Sequence, residues 1–264
     1  MALAAVSGIL AGIQTIDEFM VDAKGKVSFG VDVQDIQSEV IPVHCDLAAS
    51  YGKLSSKSIK AIDDELKIMI AGSVRALNRL EDKSWESVVA CMMQNTLIEP
   101  VPNGEVTRAD KLIKEDTSYF KSDGSPDQKV VNEVHSWFVK LISDQDVLDN
   151  SKIDIDLLAR IVAQSGATID SFATFFYKHE YHERTMLEIG VIRFPDLDNP
   201  HFKLYRIKLT AWSDCSRVLF GQTDSNGITG VYNCKTFRPR ASVIKKLKDS
   251  TKEQAVSEAE DLFN

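Results

Sequence analysis

The sequence predicts an α+β protein in which helix hairpins wrap a single antiparallel sheet. Apolar residues recur at helical spacing through residues 59–80, 130–142 and 154–162, and alternate with period two through the C-terminal third. The two kinds of segment hardly interleave, the pattern of an α+β chain rather than a doubly wound one. No long linker and no internal repeat divides the 264 residues, which read as one domain spanning 1–264.

The first twenty residues carry Leu3, Val6, Ile9, Leu10, Ile13, Ile16 and Phe19 at helical spacing and predict an amphipathic helix. No Lys or Arg precedes Lys24, so the positive start of a secretory signal is missing. Residues 27–34 alternate Val27, Phe29, Val31 and Val33 against Ser28, Gly30, Asp32 and Gln34, a half-buried strand. A second extended piece covers 39–43, with Pro42 marking an edge or an end. Ile59, Ile62, Leu66, Met69, Ile70, Leu77 and Leu80 then share one helical face, and a shorter helix covers 84–96. Pro100 and Pro102 break regular structure, and 103–127 reads as a polar surface excursion with one short helix near 109–114.

Ser125-Pro126-Asp127-Gln128 has the capping serine, the proline at a first helical position and the glutamine of a helix start. The helix that follows buries Val130, Val131, Val134, Trp137, Phe138, Leu141 and Ile142. Another begins near Asp154 with Leu157, Leu158, Ile161 and Val162, continuing to Ile169, Phe172 and Phe176 beyond Gly166. In the strand over 186–194, Leu187, Ile189 and Val191 face away from Glu188 and Gly190. In the strand over 202–212, Tyr205, Ile207, Leu209 and Ala211 face away from Arg206, Lys208 and Thr210. Turns are expected at 195–200, 213–216 and 224–227, where Asn226-Gly227 favours positive φ, so that 186–237 forms a four-strand antiparallel meander. A last amphipathic helix covers 242–263.

A net charge of −8 argues against a nucleic-acid partner, because a polyanion calls for a basic face. Neither GxxxxGK[ST], GxGxxG nor GxSxG occurs. His179-Glu180-Tyr181-His182 spaces its histidines i, i+3 rather than the i, i+4 of HExxH; even with His201 nearby, a polar helix-to-strand junction is the better reading than a metal site. Asp144, Asp146, Asp149, Asp154 and Asp156 lack the glycine and final glutamate of a calcium loop and read as a solvated loop. No catalytic centre, metal or enzymatic cofactor is expected.

Two features suit lipid. Lys235, Arg238, Arg240, Lys245, Lys246 and Lys248 occur with no Asp or Glu among them, either a patch for phosphate headgroups or a solvated face balanced by the acidic tail. The four cysteines form no CxxC pair. For attachment of an acyl chain, Cys215 in its polar turn is the more open thiol, whereas Cys234 shares strand phase with Ile228 and Tyr232 and reads as a small buried hydrophobe.

The helix over 130–142, the helix from Leu157 through the aromatic run Phe172-Ala173-Thr174-Phe175-Phe176-Tyr177-Lys178, and the strands after it resemble the Cyt-type cytolytic δ-endotoxins, whose fold is shared by volvatoxin and an Erwinia virulence factor. The likeness runs through Ile207-Lys208-Leu209, the polar 213–216, Val218-Leu219-Phe220, the polar 224–227 and Thr236-Phe237, and reaches the N-terminal half only in element order. The chain departs from these toxins in its longer charged stretch at 103–127 and its more charged strands. The resemblance implies a three-layer α/β/α domain that meets membrane lipid, holds no catalytic centre and is made without a conventional signal. The expectation is therefore a soluble toxin or virulence factor, released by a non-classical route, that binds target membranes and forms pores as a homo-oligomer after its helices are displaced. Two alternatives stay open: a non-lytic carrier holding a fatty acid or phospholipid, S-acylated or not, and an interaction protein with no lipid role.

Overall fold

The computed structural model describes residues 31–52, 54, 56–115, 125–164, 177–218, 221–240 and 259. The helices expected over 1–20 and 242–263 lie outside these residues, apart from Ala259, which is helical and buried, and so does the stretch from Ile169 to Phe176. In chain order come β1 (Val31–Val40), β2 (His44–Leu47), α1 (Lys57–Arg79), α2 (Trp85–Met93), β3 (Ile98–Lys114), α3 (Gln128–Ile142), α4 (Gln145–Asn150), α5 (Ile155–Ala163), β4 (Tyr177–Phe194), β5 (His201–Val218) and β6 (Gly221–Pro239).

The α+β class holds, with a sheet that is mixed rather than antiparallel. Its order is β1-β4-β5-β6-β3, with β2 also beside β4. β4, β5, β6 and β3 are antiparallel neighbours, whereas β1 and β2 run parallel to β4. β1 and β2 form one interrupted edge: Val40 sits opposite Leu187 and His44 opposite Gly190. The break falls at Pro42, which has no N–H to give, and Val43 N donates instead to Asn78 Oδ1 of α1 at 2.8 Å.

Three expectations are corrected. Residues 98–114 form β3, with no helix at 109–114; its prolines are tolerated because β3 lies at the sheet edge and its register shifts between Pro100 and Glu105. The expected turn at 213–216 is strand, with Ser213 opposite His182 and Cys215 opposite Glu180. So is 224–227, where Asn226 pairs with Ser213 and the reversal falls instead between Val218 and Gly221. The expected four-strand meander is thus three long strands, β4 to β6, with β3 added beside β6. Polar composition suggests turns there, although Ser213, Asp224 and Asn226 are all buried. Asn226 ties the sheet to α5: its Nδ2 donates to Val162 O at 3.0 Å and Gln164 O at 2.7 Å, satisfying carbonyls that the helix leaves open.

Each face of the sheet carries its own helices. α1 and α2 pack Leu66, Ile70, Leu77, Val88 and Met92 against Ile189, Val191, Phe202, Leu204 and Phe237. On the other face, α3 and α5 pack Val134, Trp137, Phe138, Leu158 and Val162 against Tyr205, Ile207, Leu209, Ala211, Ile228 and Tyr232. Residues 202 and 204 point one way and 205 to 211 at alternate positions the other, as strand pleating requires. Gly230 lets α3 approach closely, since a Cβ there would stand 2.5 Å from Leu141 Cδ2 and 2.8 Å from the Trp137 ring.

The helix ends follow capping chemistry with small shifts. α3 starts at Gln128 on Asp127, whose Oδ1 accepts from Lys129 N at 2.7 Å, so the cap lies two residues beyond Ser125. Arg108 of β3 donates to Ile142 O at 2.9 Å and Leu141 O at 3.3 Å, closing the other end of α3. The acidic stretch at 144–156 is partly helical rather than a loop, with Asp149, Asp154 and Asp156 exposed to solvent: Asp144 caps α4 and Asp154 caps α5, accepting from Leu157 N at 2.9 Å.

Candidate functional site

The described half of the basic run lies on β6 and just after it, facing glutamates of β3. Lys235 pairs with Glu105 at 2.7 Å, Arg238 with Glu99 at 2.8 Å and Arg240 with Glu99 at 3.8 Å. Glu105 also accepts from Trp85 Nε1 at 3.0 Å, and the bond from Lys235 leads in holding its carboxyl below the ordinary value. These cations therefore already have partners across the β3–β6 pair. Lys245, Lys246 and Lys248 lie outside the described residues.

Cys215 is not in an open turn. It is buried in β5 with its Sγ near Ser213 Oγ, and burial pushes its thiol up to about 12. Cys234 is buried on the face of Ile228 and Tyr232, in keeping with its strand phase, and burial pushes it up to about 11. A thiol that rarely ionises and does not meet solvent is a poor nucleophile. The histidines of the 179–182 motif stand in β4 rather than at a junction: His179 Nε2 pairs with Asp214 at 2.8 Å. His201 lies opposite Phe194, at the far end of β4, with its ring stacked on Phe194. Among the described residues no three His, Cys, Asp or Glu side chains come together to hold a metal.

The most developed polar constellation is one that no sequence motif announces. Strand alternation puts Glu188 of β4 on a wet face; it is fully buried, because α3 to α5 cover that face as well. Its Oε1 accepts from His44 Nε2 at 2.8 Å, Tyr205 OH at 2.8 Å and Lys152 N at 3.0 Å, and its Oε2 accepts from Ser151 Oγ at 2.7 Å. Four donors thus reach one carboxylate from β2, from β5 and from the connection between α4 and α5. The other nitrogen of His44, Nδ1, meets Asp46 Oδ2 at 2.6 Å, and Lys152 Nζ stands 3.5 Å from the same oxygen. Gly190 makes the cluster sterically feasible: a Cβ there would lie 2.4 Å from Tyr205 Cζ.

The electrostatics follow from that geometry. Burial opposes the charge on His44, but its bonds to Asp46 and Glu188 outweigh it and raise the pKa to about 9. The bond from His44 also holds Asp46 below the ordinary value. Burial of Glu188 would raise its pKa, and the donors from His44, Ser151, Lys152 and Tyr205 reverse that and lower it. Tyr205 is pushed upward, by burial first and by the Glu188 charge next, so it stays a donor. The cluster is fully bonded and offers no free nucleophile. What it does is fasten the α4–α5 connection and β2 to the middle of the sheet.

Beside it runs the second notable surface, the apolar band beneath α3 and α5. Tyr205, Ile207, Leu209 and Ala211 of β5 lie against Ile228, Tyr232 and Cys234 of β6, all buried. On the reverse face the same stretch of β5 carries Arg206, Lys208 and Thr210, of which Lys208 is exposed. Among the described residues no helix is long and apolar enough to cross a membrane, which leaves strands unaddressed. Neither a family model nor a curated protein matches this chain.

Proposed function

We propose that this protein acts on membranes as a toxin or virulence factor, its α3–α5 layer lifting from the sheet so that the apolar band meets lipid. The observation that carries the reading is an apolar face on two long, paired strands that is hidden only by a helix layer. Residues 205–211 and 228–234 each extend about 23 Å along the strand at roughly 3.3 Å per residue, which is about 18 Å of height at a barrel strand's tilt of roughly 40°. That fills about two thirds of the roughly 25 Å apolar belt of a membrane-spanning barrel. Arg206, Lys208 and Thr210 on the reverse face of β5 are the kind of residues that line water. β4, β5 and β6, at 18, 18 and 19 residues, exceed the roughly 9–11 residues of a tilted span. An open sheet cannot enter hydrocarbon with unpaired edges, so insertion calls for a closed ring of copies. Headgroup binding falls to Lys245, Lys246 and Lys248, since Lys235, Arg238 and Arg240 already face Glu99 and Glu105.

Dye release from zwitterionic and anionic vesicles tests this. The expected result is leakage by the wild-type protein, lost when an engineered disulfide ties α3 to β5 and regained on reduction. Vesicle binding without leakage moves the chain to the lipid-carrier class, and intact mass then reads any acyl chain. Protein that neither binds nor leaks any vesicle, before or after limited proteolysis, sinks the reading.

A further inference from the structure

We infer that His44 is a proton-controlled latch: charged, it bridges Asp46 and Glu188 and holds the α4–α5 connection on the sheet, and loss of its proton releases that connection. Hydrogen bonding at the ring sets its charge. Both His44 nitrogens face carboxylate oxygens, Nδ1 at 2.6 Å from Asp46 and Nε2 at 2.8 Å from Glu188. An ionised carboxylate only accepts, so both nitrogens must carry hydrogen and the ring must be an imidazolium. A neutral ring has one donor, and one carboxylate then loses its bond.

The charged and titratable groups facing the ring come from four elements. β2 supplies Asp46, β4 supplies Glu188, β5 supplies the Tyr205 hydroxyl, and the α4–α5 connection supplies Lys152, whose ammonium reaches Asp46 but not Glu188. His44 is therefore the cation that Glu188 bonds within this cluster. A neutral ring with its hydrogen on Nε2 still bonds Glu188 and gives up Asp46, and with it on Nδ1 the reverse; either way the fully buried Glu188 charge is left with neutral donors only, an arrangement that is costly in a low-dielectric interior. Relief comes by admitting water, and the connection at Ser151–Lys152 is the part of the cage that packs from outside the sheet.

The sign follows from linkage. The folded-state pKa of His44 is raised to about 9 above its ordinary 6.5, so its stabilisation is complete below 6.5 and disappears as pH rises through 9. Asp46 and Glu188, both lowered, are ionised in docked and undocked states across this window and add no slope.

Amide hydrogen exchange of the full-length protein without lipid, corrected for intrinsic rates, tests the latch independently of any membrane activity. Opening at the Lys152 amide and in α5 should rise about a hundredfold between pH 6 and pH 9, while α1 amides such as those of Leu66 and Ile70 stay within about threefold. His44→Gln should flatten the α5 profile over the same range. The ring carbon resonance of His44 in the wild-type protein should titrate near 9, a readout that survives even if the variant fails to fold. A His44 titrating at 7 or below, a flat wild-type profile, or equal acceleration in α1 and α5 overturns the proposal. Vesicle leakage that fails while this profile appears removes the membrane reading and leaves the latch standing.

Discussion

The two helix layers are fastened by the same device with different cations. On one face, Arg193 of β4 holds Asp63 of α1, Nε to Oδ1 at 2.8 Å, and gives a further bond to Cys45 O at 2.9 Å. On the other, His44 of β2 holds Glu188, which gathers Ser151 and Lys152 of the α4–α5 connection. Both carboxylates are buried, Asp63 at 2 % exposed and Glu188 at 0 %. A guanidinium keeps its proton at any pH the fold survives, whereas an imidazolium can lose its proton. One layer is therefore fixed to the sheet permanently and the other conditionally. The conditional layer is the one that covers the apolar band.

Breaking the permanent side should cost most. Asp63→Ala removes the buried carboxylate that Arg193 holds and should lower unfolding stability by about 3–5 kcal/mol, read from urea denaturation. Exchange in α5 should keep its pH profile in any fraction of that variant that folds. The conditional side is next. Gly190→Ala places a methyl against the Tyr205 ring and pulls its hydroxyl from Glu188, costing about 1–3 kcal/mol by thermal or urea unfolding. That variant should also raise α5 exchange throughout while keeping its increase between pH 6 and pH 9, because His44 still titrates against Glu188. The smallest effect belongs to the sheet edge. Lys235→Ala removes the pairing with Glu105, whose side chain is 46 % exposed, and should change stability by no more than about 1 kcal/mol. A loss as large as that of Asp63→Ala would erase the distinction between edge pairs and interior latches.

The helices and the sidedness of the strands are written in local sequence. α1 and α3 bury Leu66, Ile70 and Leu77, and Val134, Trp137 and Leu141, the residues their periodicity selects, because an amphipathic helix is written in neighbours three and four apart. The alternation of Tyr205, Ile207, Leu209 and Ala211 against Arg206, Lys208 and Thr210 fixed which way β5 faces, since pleating is a local rule. What those faces meet depends on long-range packing. β3 is polar and contains two prolines, and it is a strand because β6 supplies its hydrogen bonds; no local preference says so. Ser213 and Asn226 look like turn residues until α5 supplies the carbonyls that Asn226 needs. Glu188 alternates with apolar neighbours and reads as solvent-facing, and becomes the centre of a buried cluster only because His44 and Ser151, 144 and 37 residues away, are brought to its two oxygens. The sign of a position's environment depends on whether the second face of the sheet is covered, and that cover comes from helices far along the chain, beyond the reach of any local pattern.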